Sequence, residues 1–283
     1  LYYKIFQPAP QLKPFIRYYW ILRGIDQGSA GTNDLLIPDG CTEIIFNDSS
    51  VYARTDVTSG QELSINESCV VGQRNKSILA RRIGHTHLVG VKLSAGALNL
   101  LSGIPESEFR NLSIALEGLK KTWLTELEER VFEQDSEAQM ISLLNAAFQS
   151  RLNGNRGHDL QLSQAISRYI LGAELMPDLS GIQERYQLHS KKLERLFNQY
   201  IGLSPKNYLK VMRFKKAYKR LNRHKTSFYD GSIYDLGFYD QNHFIKDFQF
   251  FTSQSPSDYY GQRSEISDEV LLQTMRQLRQ RVS

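Results

Sequence analysis

Two short stretches place side chains that read other molecules at helical spacing. In "SKKLERLFN" (190–198), apolar Leu193, Leu196 and Phe197 define one face and leave Lys191, Lys192, Glu194, Arg195 and Asn198 outward. A guanidinium forks onto guanine O6 and N7, and a carboxylate accepts from cytosine N4. In "QNHFIK" (241–246), Gln241 and Asn242 suit adenine N6 and N7, Ile245 suits a thymine methyl, and Lys246 adds positive charge. This is the chemistry of reading base edges. Asp240 is expected to be the N-cap of that second stretch, and His243 to be a packed or capping residue.

Other chemistry is thinner. His85 and His87 alternate along an expected strand, but no carboxylate or thiol stands beside them at ligand spacing. Cys41 and Cys69 have no CxxC or CxxH context and read as buried thiols of a cytoplasmic protein. No phosphate-cradling glycine loop, nucleophile elbow or catalytic carboxylate pair is present, so neither an enzyme nor a cofactor is expected. No apolar run is long enough for a membrane span, and no signal pattern opens the chain. The sequence begins at Leu1 instead of Met, so a few residues are expected before it.

Charge supports a polyanionic partner. Residues 1–157 carry 16 Lys and Arg against 17 Asp and Glu, whereas residues 158–283 carry 19 against 13. Within 185–225 there are 13 basic residues and a single acid, Glu194. A solvated helix normally mixes its signs, so this asymmetry points to nucleic acid.

The elements that must position these residues differ between the halves. "CTEIIF" (41–46), "SCVVG" (68–72) and "HLVGVKL" (87–93) predict strands, and "SAGALNLLSG" (94–103) a short helix. From about 122 to 152 the spacing is helical, and its amphipathic 122–149 segment serves either as domain core or as a dimer seam, with a lean to the seam. "NGNRGH" (153–158) reads as a linker. Beyond it, Asp178 is expected to cap a helix start, followed by helices near 190–200, 205–222, 241–250 and 256–260. A last amphipathic helix is expected at 269–282.

The second half repeats itself. "KKLERLFNQYIGLSPKNY" (191–208) aligns with "NHFIKDFQFFTSQSPSDY" (242–259) at a constant offset of 51. Leu193 matches Phe244, Phe197 matches Phe248, and each copy closes on Ser-Pro and Tyr. Proline suits the first turn of the next helix, and Gly237 suits the turn before the second copy. The unit is helix, sharp turn, helix.

Residues 159–260, above all "LGFYDQNHFIKDFQFFTSQSPSDYY", resemble the DNA-binding domain of AraC/XylS transcription regulators. "LIPDGCTEIIF", "VVGQR" and "HLVGVKLSAGALNLLSGIPESEFRN" are similar to a poorly characterised domain preceding it in some members. The resemblance implies an α+β chain. A strand-rich sensing or oligomerisation domain, barrel-like, spans 1–152 and ends in a long helix. The linker follows at 153–158, two helix-turn-helix units joined by a long helix at 159–262, and a helical tail at 263–283. It places base readers at Lys191, Glu194 and Arg195, to which Asn198, Gln241, Asn242, Ile245 and Lys246 are added from the exposed faces. Lys192, Ser204, Lys206, Asn207, Lys210 and Ser255 are expected at the DNA backbone. Arg213, Lys216 and Arg220 form a stripe that reads equally as long-range attraction or as solvated charge.

The implied function is sequence-specific transcription regulation in the cytoplasm, as an activator or a repressor, with double-stranded DNA as partner. A small-molecule effector in the N-terminal domain, a homodimer and, for an activator, RNA polymerase contact complete the implied partners. A metal-dependent enzyme domain fused to a DNA-binding module is the alternative. A constitutive DNA binder with a dimer-scaffold N-terminal domain is another. Four positions depart from the family. Gln183 stands for a small alanine, Gln187 for the turn glycine, and Ser232 and Ile233 for a branched apolar residue and alanine. Gly231 also weakens its helix by about 1 kcal/mol relative to alanine.

Overall fold

The computed structural model describes residues 1–26, 32–57, 59–152, 157–224 and 234–261. Strands occupy the first part: β1 (Tyr2–Phe6), β2 (Ile16–Asp26), β3 (Thr32–Leu36), β4 (Glu43–Asn47), β5 (Val51–Asp56), β6 (Glu62–Ile65), β7 (Cys69–Val71), β8 (Ile78–Leu93) and β9 (Ser113–Ala115). All described pairings are antiparallel. β8 is the spine. Its first part pairs with β3 and β5, and from Gly84 onward it pairs with β2, then also β4.

Alternating residues explain why both faces of this sheet are buried. Tyr19, Ile21, Ile44, Phe46, Val89 and Val91 pack in the main core against the helices. Their neighbours Trp20, Leu22, Ile45 and Leu88 pack with Tyr52 and Ala80 in a second, smaller core. The expected barrel does not form. The hydrogen-bonded order runs β1-β2-β8-β4-β7-β9, with β1 and β9 at opposite ends. Helix α3 flanks β1 instead of a closing strand, and Lys4 on β1 bonds Glu137 at 2.9 Å.

Three helices cover the main core: α1 (Ala97–Ser102), α2 (Thr122–Phe132) and α3 (Glu137–Leu152). The helical pattern from 122 to 152 is thus two helices, with Ser136 accepting from Gln139 N at the restart. Leu124, Leu127, Val131, Met140, Leu144 and Phe148 are buried within their own chain. That apolar stripe is core, and its spacing gives no support to a dimer seam.

The second part is helical: α4 (His158–Gly172), α5 (Leu179–Tyr186), α6 (Ser190–Tyr200), α7 (Pro205–His224), α8 (Gln241–Thr252) and α9 (Pro256–Gly261). The linker expected to reach 158 therefore ends earlier, because His158 already belongs to α4. Gly231, Ser232, Ile233 and the helix expected at 269–282 lie outside the described residues. Around α7 gather Phe197, Val211, Phe214, Leu221, Phe244, Phe248 and Phe251. The two parts touch. Leu160 of α4 joins the main core, Gln164 donates to the Pro14 and Ala95 carbonyls, and Lys215 donates to the Asp39 carbonyl at 2.8 Å.

Candidate nucleic-acid interface

The first unit is built from α5 and α6. Asp178 caps α5, its carboxylate accepting from Gly181 N at 2.7 Å. The turn is made by Gln187 at φ 50°, the left-handed region where glycine is easier. Gln183 bridges the turn, donating to the Ser190 hydroxyl at 2.8 Å. His189 caps α6 through Nδ1, which accepts from Lys192 N at 3.2 Å. Leu193, Leu196 and Phe197 are buried beneath it. Lys191, Glu194, Arg195 and Asn198 are exposed on the outer face.

The second unit is described from a short 3-10 turn, Tyr234–Leu236, onward, and repeats the turn, cap and buried face of the first. Gly237 turns the chain at φ 86°, and Asp240 accepts from His243 N at 2.7 Å as the cap of α8. Phe244, Phe248 and Phe251 are buried. Asn242 and Lys246 are exposed, whereas Gln241 and Ile245 are half-buried and Ile245 packs on the helical core. The repeat extends to ring geometry. Phe197 meets Tyr208 edge-on at 5.7 Å, and the offset pair Phe248 and Tyr259 meets edge-on at 5.5 Å. Both tyrosine hydroxyls are bonded inward, Tyr208 to Ser167 and Tyr259 to Tyr218. Ser204 accepts from Asn207 N before α7, and Ser255 from Asp258 N before α9. Lys206 stands exposed on the first turn of α7.

Much of the basic charge is already answered within the protein. Lys192 bonds Asp159 at 2.6 Å and Arg195 lies 3.4 Å from the same carboxylate, which the Lys192 hydrogen bond holds below its usual pKa. Lys210 and Arg213 both meet Asp247, at 3.2 and 2.7 Å, and the Lys210 ammonium lies 3.7 Å from the Phe250 ring centroid. Arg213 also contacts His243 Nε2, and Tyr239 stacks on that imidazole, so His243 is structural. Lys216 donates to the carbonyls of Ile170 and Ala173 at the end of α4, and Arg220 pairs with Asp235. The Arg213, Lys216 and Arg220 stripe thus ties helices together. Sequence reasoning missed Asp159 and Asp247, the acids that orient these cations. Asp247 carries a signal, since it shares the buried face with Phe244 and Phe248.

Comparison with known proteins then fixes the module. A family model described as a helix-turn-helix domain matches residues 183–262. Residues 4–115 match a family described as a domain of unknown function, DUF6597. The HTH-type transcriptional activator RhaS of Escherichia coli is 35% identical over 78 residues, 28% of each chain. The C-terminal part is an AraC-type helix-turn-helix domain. The RhaS of Pectobacterium atrosepticum is 25% identical over 167 residues, 59% of this chain and 53% of that one, so the chain spans about half the length of that relative. Among solved structures, ToxT from Vibrio cholerae O395 aligns at TM-score 0.44 and 15% identity, covering 87% of this chain and 99% of that chain. A fatty-acid-bound ToxT from Vibrio cholerae aligns at TM-score 0.41 and 11% identity, covering 84% and 94%.

The strand-rich part reaches the AraC-type domain at α6. Arg110 donates to the Gly202 carbonyl at 2.8 Å and to Asn198 Oδ1 at 3.3 Å. Pro105 and Ser107 stand across a shallow groove from Lys191, Glu194 and Arg195. The outer face of α6 is therefore shared between solvent and the first part of the chain. Elsewhere, His87 accepts from Arg23 Nε at 2.9 Å, and burial pushes its pKa down to about 4. Among the described residues no group of three or more His, Cys, Asp or Glu gathers to hold a metal, and no helix is long and apolar enough to cross a membrane.

Proposed function

We propose that this chain is a sequence-specific transcription regulator that reads DNA with α6 and α8. The observation that carries the reading is the repeated unit itself. Two capped helices stand on one long helix, each burying apolar anchors and turning polar side chains outward. Arg195 is the main guanine reader of α6, flanked by Lys191, Glu194 and Asn198. Gln241 and Asn242 read adenine from α8, with Ile245 and Lys246 beside them. Ser204, Lys206, Asn207 and Ser255, at the starts of α7 and α9, meet phosphates. Lys192 and Lys210 join them by exchanging carboxylate partners for phosphate oxygens. Residues 1–152 form the effector-sensing part. Arg110 supports this, because a ligand that shifts its loop changes the contact with Asn198 and so acts on a reading helix.

The test is selection of bound DNA from a random pool at fixed salt, followed by Arg195→Ala and Gln241→Ala. Each substitution is expected to weaken the selected site by about 1–3 kcal/mol and to relax preference at one base position. Affinity should fall steeply as salt rises. Unchanged binding and unchanged preference in both variants would remove the contact assignment.

A further inference from the structure

The second core holds positive charge that no carboxylate among the described residues bonds. Arg54 on β5 lies two residues from Tyr52 and so shares its face, opposite Ala80 of β8. Tyr52 and Ala80 line this core with Trp20, Ile45, Cys69 and Leu88. Arg54 is 1% exposed, and none of its three guanidinium nitrogens meets an oxygen or nitrogen acceptor among the described residues; its polar neighbour is the Cys69 thiol. The guanidinium sits 5.2 Å from the Tyr52 ring centroid, a contact that does not neutralise it. Arg82, paired in register with Tyr52, shows the contrast: it is also buried, yet Asp34 answers it at 2.7 Å.

A second guanidinium adds to the imbalance. Arg74, 8% exposed in the loop after β7, donates only to neutral acceptors, the Asn111 carbonyl and the Ser113 hydroxyl, and its Nε has no partner. Burial first, and the Arg54 charge second, push the Arg74 pKa down to about 10. Cys69 neighbours both cations, but burial pushes its thiol up, so it supplies no negative charge near pH 7. Glu43 acts on Arg54 only by charge, since its oxygens are taken by Trp20 and Lys92; Asp56 acts likewise on Arg74. A buried guanidinium without a carboxylate is costly, and its planar fork matches one type of partner, an oxyanion.

We infer that Arg54 and Arg74 form an internal anion site that takes the carboxylate or phosphate group of a small ligand. Arg54 supplies the fork, and Arg74 Nε supplies a further donor. The apolar residues around Tyr52 would cover the rest of the ligand. This inference rests on the sensing role proposed for residues 1–152, and it names the chemical class such an effector would have.

The experiment is thermal unfolding of the full chain at pH 7 and constant ionic strength, replacing chloride by acetate or by inorganic phosphate. Wild type is compared with Arg54→Met, Arg54→Lys and Arg81→Ala, the last being an exposed arginine on the same sheet. A ligand bound only by the folded state raises the melting temperature with concentration. Wild type and R81A are expected to gain several degrees, R54K less, and R54M none. R54M should melt no lower than wild type in chloride, because its unmatched charge is gone. A larger gain with acetate identifies a carboxylate ligand, and a larger gain with phosphate a phosphate ester. The inference is overturned if no anion moves wild type, or if R54M gains as much as wild type. Should R54M fail to fold, an undiminished gain in R54K overturns it instead. Binding to the selected DNA, measured on the same samples, separates the two readings. An Arg54-dependent gain without DNA binding leaves the anion site standing alone, and DNA binding without the gain leaves the regulator standing alone.

Discussion

At the scale of single residues, Asp247 shows how a side chain can organise a surface it does not belong to. It is 4% exposed and takes Lys210 and Arg213 from α7, so it fixes α8 against the long helix. Removing it strands two cations at a helix interface. Asp247→Ala is expected to cost about 3 kcal/mol, as for a broken buried pair. Asp240→Ala, which removes only an exposed cap, should cost about 1 kcal/mol. Urea unfolding of both variants checks the order, and equal losses would mean that the Asp247 pairs with α7 add no more than a helix cap. The caps themselves were legible, because Asp178 and Asp240 each precede a helix with a free first-turn N–H in reach. Asp247 shows in the sequence only as an acid on the buried face of Phe244 and Phe248; its partner Arg213 lies 34 residues away and no local spacing announces that pairing.

At the scale of elements, the helix-turn-helix units were legible and most strands were not. Phe244, Phe248 and Phe251 repeat every three to four residues, and that period writes a helix directly into the sequence. β2, "IRYYWILRGID", buries Tyr19 and Ile21 on one face and Trp20 and Leu22 on the other. With both faces apolar, the alternation that marks a strand disappears. The same blindness hid the open sheet, since strand order depends on pairings that no single strand encodes. The turn of the first unit is where sequence and structure agree about strain. Gln187 occupies the left-handed region at φ 50° between α5 and α6. A side chain there costs about 1 kcal/mol, part of which glycine returns through its freer unfolded state. Gln187→Gly is therefore expected to raise stability by about 0.5 kcal/mol in thermal unfolding and to leave DNA preference unchanged. A loss of stability would show that the Gln187 side chain holds the turn by contacts stronger than the strain.

At the scale of the whole molecule, the two parts meet at Glu106, a residue that no spacing in the sequence singles out. "IPESEF" reads as a surface loop, yet Glu106 is 0% exposed. Its Oε1 accepts from Gly96 N at 2.9 Å before α1, and its backbone carbonyl lies where a Cβ on Gly202 would come within 2.7 Å. Gly202, at φ 88°, closes α6, so one residue touches both the sheet layer's first helix and the end of a DNA-reading helix. Burial pushes the Glu106 carboxyl up to about 8, against N–H groups of Gly96, Asn99 and Leu98 that favour the charged form. The carboxyl is then neutral in the folded protein at pH 7 and ionised in the unfolded chain. Between the usual carboxylate range and pH 8 the folded state holds a proton that the unfolded state has lost. Stability from this group therefore falls as pH rises through that window, by about 1.4 kcal/mol per unit, and levels off above it. Glu106→Gln copies the neutral form. It is expected to match wild type at pH 5 and to exceed it at pH 8, with the difference growing steadily between. Because the site joins α1 to α6, the gain should appear as a higher midpoint of one shared transition. An equal loss of stability at both pH values would instead make Glu106 a charged cap of α1, and the pH response would have to come from another group.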